Sequence, residues 1–237
     1  MASPRRNIFK LIQFPIYLVA SIWIIHILNA SGALNFRNFG LLPRDVDGII
    51  GIFTAPFIHG SFQHLMSNSV PLFVMTFLIV FFYKRIAYQS ILLIYVLTGF
   101  AVWAFARDNV MHIGASGVVY GLVAFVFWTG IFRRNVKSII LALIIVTFYS
   151  GLFLGIMPTQ QGISWESHLF GGLVGILVAF WMKDDIEKDE RQEDPWKDEQ
   201  PADKYFLPRD TFEETLLERA RRLKEQEGDS SWTSDMS

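Results

Sequence analysis

The chain has 237 residues, of which 52% are hydrophobic and 18% charged, and its mean hydropathy is +0.35. An ordinary soluble domain, with roughly 25% charged residues, is excluded. Up to Met182 the bases fall in short loops beside the apolar runs rather than on one helical face or stripe, so nothing points to nucleic acid as a partner, and the absence of cysteine excludes disulfides and thiolate metal sites.

Charge divides the chain in two. Between Leu11 and Met182 the only acids are Asp45, Asp47, Asp108 and Glu166, whereas residues 183–237 hold 18 acids against 10 bases. The sequence therefore reads as a membrane domain over 1–182, a charged disordered linker over 183–207 and a C-terminal tail over 208–237.

In chain order, apolar runs at 11–29, 62–83, 89–106, 116–132, 137–156 and 166–182 approach the roughly 20 residues needed to cross a bilayer. The first, preceded by Arg5, Arg6 and Lys10 and followed by "LNASGA", has the outline of a secretory signal. Its apolar stretch exceeds the ~7–15 residues of a signal core, so it is expected to remain as a span. Lysine and arginine stay on the cytoplasmic side. With the N-terminus inside, Arg5, Arg6, Lys10, Lys84, Arg85, Arg133, Arg134 and Lys137 are inside and only Arg37, Arg44 and Arg107 outside. Six spans with both termini cytoplasmic follow.

Spans two, four and six then run in one direction, and each start is unusually polar: "HGSFQHLMSN", "GASG" and "WESHLFGG". Polar side chains at membrane depth are costly, and usually face a protein interior or a water-filled cavity. His59, His64, Asn68, Ser116 and His168 form such a set. A serine nucleophile needs a base, and Ser116 with His168 supplies the pair. His64 and Asn68, four residues apart, lie about 40° apart on a helix and share a face. They and the Ser116 amide at a helix N-terminus are candidate oxyanion donors.

Gly117 and Gly121 on span four, and Gly171 and Gly175 on span six, have the small-xxx-small spacing that lets membrane helices approach closely. "GASG", with Gly114 at its head, clears room around the serine. Taken singly, such features are often packing devices; Tyr120 reads as packing, and His26 and His112 as structural or solvated. No H-E-x-x-H zinc motif occurs, and spans two to five lack paired carboxylates, so neither metal nor cofactor is expected. Glu166 is two residues from His168, a spacing that does not share a helix face, which favours a dyad without an acid.

These residues resemble the rhomboid family of intramembrane serine proteases. "FIHGSFQHLMSN" is similar to the family's H-x-x-x-x-H-x-x-x-N segment, "GASG" to its nucleophile motif and "SHLFGG" to its H-x-x-G motif, in order, within about 52–182. The resemblance implies an all-α, six-transmembrane-helix bundle with Ser116 as nucleophile and His168 as general base. His64, Asn68 and the Ser116 amide would hold the oxyanion, Tyr120 would pack beside the His168 ring, and His59 would brace the loop after span one. It implies hydrolysis of peptide bonds in or near the transmembrane segments of membrane-protein substrates, in a water-filled cavity opening outward; the compact six-span plan fits a bacterial cytoplasmic membrane, with an organelle membrane as the alternative. Two departures stand out: the loop over 31–58 lacks the Trp-Arg pair often seen in the family, and Phe170 stands where a small residue is common. The rival expectation is a non-catalytic scaffold of the same fold; a transporter is disfavoured by the lack of carboxylates and inverted repeats.

In the tail, Thr211 and Glu214 have capping-box spacing, Phe212, Leu216, Ala220 and Leu223 recur at helical spacing, and Gly228 is the expected stop. This amphipathic helix is a candidate docking element for a cytoplasmic partner or a second copy.

Overall fold

The computed structural model describes residues 8–32, 36–134, 136–149, 164–185 and 215–232. Among these the structure is helical, with no strand beyond a single bridge between Leu41 and His112. The chain divides into two compact units, Met1–Arg191 and Gln192–Ser237.

The first unit holds α1 (Ile8–Ala30), α2 (Gly51–Thr54), α3 (Phe62–Phe82), α4 (Ala87–Phe105), α5 (Ser116–Arg133), α6 (Val136–Tyr149) and α7 (Trp165–Trp181). The six long helices fall on the six apolar runs. Four of them, α1, α3, α4 and α5, are long and apolar enough to cross a membrane. Helix α7 has 17 residues and α6 14, and the expected run to 156 continues past the described part of α6.

The chain's punctuation explains the helix ends. Ser61 caps α3, its Oγ accepting from the His64 amide at 3.1 Å. Helix α5 stops at Arg134, whose φ of 51° is left-handed. Inside the bundle, Leu65, Met75, Ile79, Ile94, Leu122, Phe125, Val126 and Val178 are fully buried. Facing outward instead are Ile24, Ile27, Val70, Leu92, Phe100, Leu173, Leu177 and Phe180, all exposed. Apolar side chains both inside and outside suit a bundle whose solvent is lipid.

The principal helix-helix interface joins α5 to α7, with α4 also against α7 and α1 against α3. The glycines account for it. A Cβ on Gly171 would stand 2.0 Å from the Gly117 carbonyl oxygen, and one on Gly175 2.1 Å from that of Gly121, so only bare backbone permits this crossing. Phe170, expected to bear on how closely these helices meet, turns aside to Phe105 on α4, with ring centroids 6.0 Å apart.

The segment between α1 and α3 docks on α4. Arg44 donates its amide to Trp103 O at 2.9 Å and Nη1 to Ala104 O at 3.0 Å, while Trp103 Nε1 donates to Asp45 O at 2.9 Å. Tyr95 Oη donates to Phe53 O. Gly99 admits α2: a Cβ there would lie 2.8 Å from Ile52 O. This loop, in which the family's Trp-Arg pair is absent, is thus held by its own arginine and a tryptophan of α4.

In the second unit, α8 (Leu216–Trp232) runs past the expected stop at Gly228. The first T-x-x-E box, with Thr211, Phe212 and Glu214, lies outside the described residues. The second forms the cap: Thr215 N donates to Glu218 Oε2 at 2.9 Å, and Glu218 N to Thr215 Oγ1 at 3.3 Å. Gly228 does not end the helix. A helical glycine costs only about 1 kcal/mol, and no proline follows within the chain. Leu216, Leu217 and Leu223 are exposed.

Candidate active site

Ser116 is the first residue of α5, and His168 lies in the first turn of α7. Their side chains meet across the glycine crossing, with His168 Nε2 2.9 Å from Ser116 Oγ. Tyr120, one turn beyond Ser116, stacks flat on the His168 ring, the centroids 4.1 Å apart and the planes 6° from parallel. His168 is 6% and Tyr120 7% exposed. The imidazole is therefore held in plane by an aromatic neighbour and aimed at one hydroxyl. Such a pair can move a proton from Oγ to Nε2 as the oxygen attacks an electrophile.

Gly114 has a φ of +102°, a conformation L side chains rarely adopt, and turns the chain into α5. The His64 ring lies against it: a Cβ on Gly114 would be 2.5 Å from His64 Cε1 and 2.6 Å from Nε2. The start of α3 is thus beside the residue two before the serine. No side chain caps α5, so the helix N-terminus presents amides and the positive end of its dipole where Ser116 stands.

Asn68 is buried, and its Nδ2 donates to His64 O at 2.9 Å. A carboxamide nitrogen carries two hydrogens, so Nδ2 has a second donor beside that bond. His59 ties three elements together. Its carbonyl is 3.2 Å from His26 Nδ1 on α1, its Nδ1 3.4 Å from Phe57 O, and its Nε2 accepts from Ala115 N at 3.5 Å. Its ring meets His64 edge to face at 5.0 Å. Burial, reinforced by His64, lowers its pKa to about 4, so it is neutral.

Some neighbours of the site come from residues that sequence spacing does not connect. His112 is buried rather than solvated; its Nδ1 bonds to Ser164 Oγ and is 3.0 Å from Ser167 Oγ. Burial lowers its pKa to about 4 as well. Glu166 turns from His168 to Arg107, which binds both its carboxylate oxygens, Nη2 at 3.3 Å from Oε2. The polar run "SWES" was the available signal, but its partners lie more than 50 residues away in the sequence.

Of the eleven side chains and glycines expected at the site, Ser116, His168, Tyr120, Gly117, Gly121, Gly171 and Gly175 assemble at the α5–α7 crossing, with His64 and His59 at Gly114 and Ala115. Asn68 stands one turn along α3 from His64.

Comparison with known proteins covers the same part of the chain. The family model described as Rhomboid domain matches residues 47–184, which include every one of these positions. An uncharacterized protein of Mycobacterium tuberculosis is 30% identical over 170 residues, covering 68% of this chain and 71% of its own. One of Mycobacterium leprae is 29% identical over 170 residues, 68% and 67% of the two chains. A Bacillus subtilis protein provisionally named a rhomboid protease is 24% identical over 197 residues, 78% of this chain and 94% of its own.

Proposed function

The chain belongs to the rhomboid family and is an integral membrane protein, and we propose that it is an intramembrane serine endopeptidase acting through the Ser116–His168 dyad. The observation that carries the reading is the 2.9 Å contact of His168 Nε2 with Ser116 Oγ at a crossing that only glycine allows.

Ser116 Oγ attacks the carbonyl carbon of a substrate peptide bond while His168 Nε2 takes its proton. The oxyanion accepts hydrogen bonds from the Ser116 amide, His64 and the second Nδ2 hydrogen of Asn68. The imidazolium then gives its proton to the leaving amine as the C–N bond breaks, which leaves an ester on Ser116. Water, deprotonated by His168, attacks the ester, and a carboxylic acid and the free serine result. Tyr120 keeps the imidazole plane fixed through both proton transfers. Gly117, Gly121, Gly171 and Gly175 set the approach of the two helices.

Substrates are transmembrane segments of other proteins, entering from the bilayer. The short loops' excess of lysine and arginine on one side supports six spans with both termini cytoplasmic and the site toward the outer face. The compact plan supports a bacterial cytoplasmic membrane. The exposed leucines of α8 support docking of a cytoplasmic partner or a second copy; a pull-down that recovers the same partners without residues 208–232 would remove that part.

The test is covalent labelling by a fluorophosphonate. Incorporation at Ser116 that disappears in His168→Ala is expected. Labelling of His168→Ala at the wild-type rate would contradict the dyad.

A further inference from the structure

The segment that delivers Ser116 and the helix that carries His168 are joined a second time, outside the dyad. Residues 106–115 run from the end of α4 to Ser116. Near the start of this segment, the Arg107 guanidinium binds both Glu166 oxygens, Nε on Oε1 and Nη2 3.3 Å from Oε2. It also lies over the Trp165 ring at 5.8 Å. Further along, His112 holds Ser164 and Ser167, themselves 2.7 Å apart. Every anchor on the far side belongs to residues 164–167, immediately before His168. The two catalytic side chains thus close a circuit whose other links are Arg107–Glu166 and His112–Ser167.

Glu166 does not orient the imidazole itself. Two residues apart on a helix do not share a face, and both its oxygens face Arg107. Its effect passes through the backbone of the first turn of α7.

Burial of the pair is unequal, with the Glu166 side chain 4% exposed and that of Arg107 62%. A carboxylate withdrawn from water needs its partner; a guanidinium mostly in water does not. The nearby pair Arg44–Asp108 is the contrast, open on both sides at 42% and 63%, and such pairs contribute little.

We propose that Arg107 and Glu166 are positioning residues of the dyad: their pair fixes the first turn of α7 on the 106–115 segment and so sets His168 Nε2 within reach of Ser116 Oγ. The proposal rests on the protease reading above. Displacement of a reacting group by about 1 Å can cost about 100-fold in rate, so a clamp this close to the dyad acts on the chemical step rather than on substrate capture.

The test uses the full chain in detergent, with two readouts per folded molecule: the rate of fluorophosphonate labelling of Ser116, and kcat and KM on a transmembrane peptide. Arg107→Ala strands a buried carboxylate and is expected to lower labelling and kcat about 30-fold with KM within about twofold. Glu166→Gln keeps a side-chain oxygen that the guanidinium can still bind and is expected to cost only about threefold, whereas Arg107→Ala/Glu166→Gln, which has no pair, is expected to match Arg107→Ala rather than the product of the two single losses. Asp108→Asn leaves both readouts at wild-type values. Wild-type labelling by Arg107→Ala, or losses that simply multiply in the double variant, would overturn the proposal. If Arg107→Ala does not fold, Arg107→Lys decides: slowed labelling at unchanged KM supports the clamp, and wild-type labelling overturns it. A folded wild-type chain inert in both assays would overturn the protease reading itself, and this inference with it.

Discussion

Gly171 and Gly117 meet backbone to backbone: a methyl on Gly171 would stand 2.0 Å from the Gly117 carbonyl oxygen, well inside contact distance. The Ser116–His168 hydrogen bond is made across this crossing, so α5 and α7 cannot move apart without stretching it. Gly171→Ala is expected to lower kcat by about 100-fold or more and to lower the Tm. Gly172, with nothing within 4 Å of its Cβ position, is the control: Gly172→Ala is expected to retain activity and to gain up to about 1 kcal/mol from helix propensity. Thermal unfolding and peptide cleavage, measured side by side, check both.

At Gly114 two penalties coincide. The residue has a φ of +102°, and a Cβ there would meet the His64 ring at 2.5 Å. Gly114→Ala is therefore expected to displace His64 and lower kcat by roughly 10-fold to 1,000-fold, the scale of losing an oxyanion donor. His64→Ala, compared in a double-mutant cycle, is expected to account for most of that loss.

Tyr120 acts on His168 through its ring face, 4.1 Å away. Loss of the stack is worth about 0.5–1.5 kcal/mol, so Tyr120→Ala is expected to slow cleavage up to about 10-fold. Tyr120→Phe keeps the ring and is expected to retain more activity than Tyr120→Ala in the same assay.

The two loop histidines make stability depend on pH. Burial lowers the pKa of both His59 and His112 from 6.5 to about 4. Between those values the unfolded chain binds protons that the folded chain refuses, so the stabilisation is complete above about pH 6.5 and is lost as pH falls toward 4. Tm measured from pH 7.5 to 4.5 is expected to fall over that window. His112→Gln is expected to flatten the slope, since glutamine does not titrate there.

What the sequence made legible was local. Ser116, His168, His64 and Asn68 stand at three helix starts marked by polar residues inside apolar runs, and glycines at i, i+4 mark the faces that touch. The links at a distance were not legible: Arg107 to Glu166 spans 59 residues and His112 to Ser167 55, and no periodicity connects them. His112 looked like any loop histidine until burial placed it on two serines. The cap of α8 is a different case: the box expected at Thr211 and Glu214 lies outside the described residues, and Thr215 with Glu218, not singled out in the sequence, forms the cap seen. Phe170 illustrates the converse case, where residue size alone says nothing of the direction in which a helix turns its side chain.

The most direct measurement is cleavage of a transmembrane peptide with a small residue near its outer end, in liposomes, by wild type, Ser116→Ala and His168→Ala, each shown to be folded. A Ser116–His168 dyad requires cleavage by wild type and none by either variant. Cleavage that survives Ser116→Ala would contradict it.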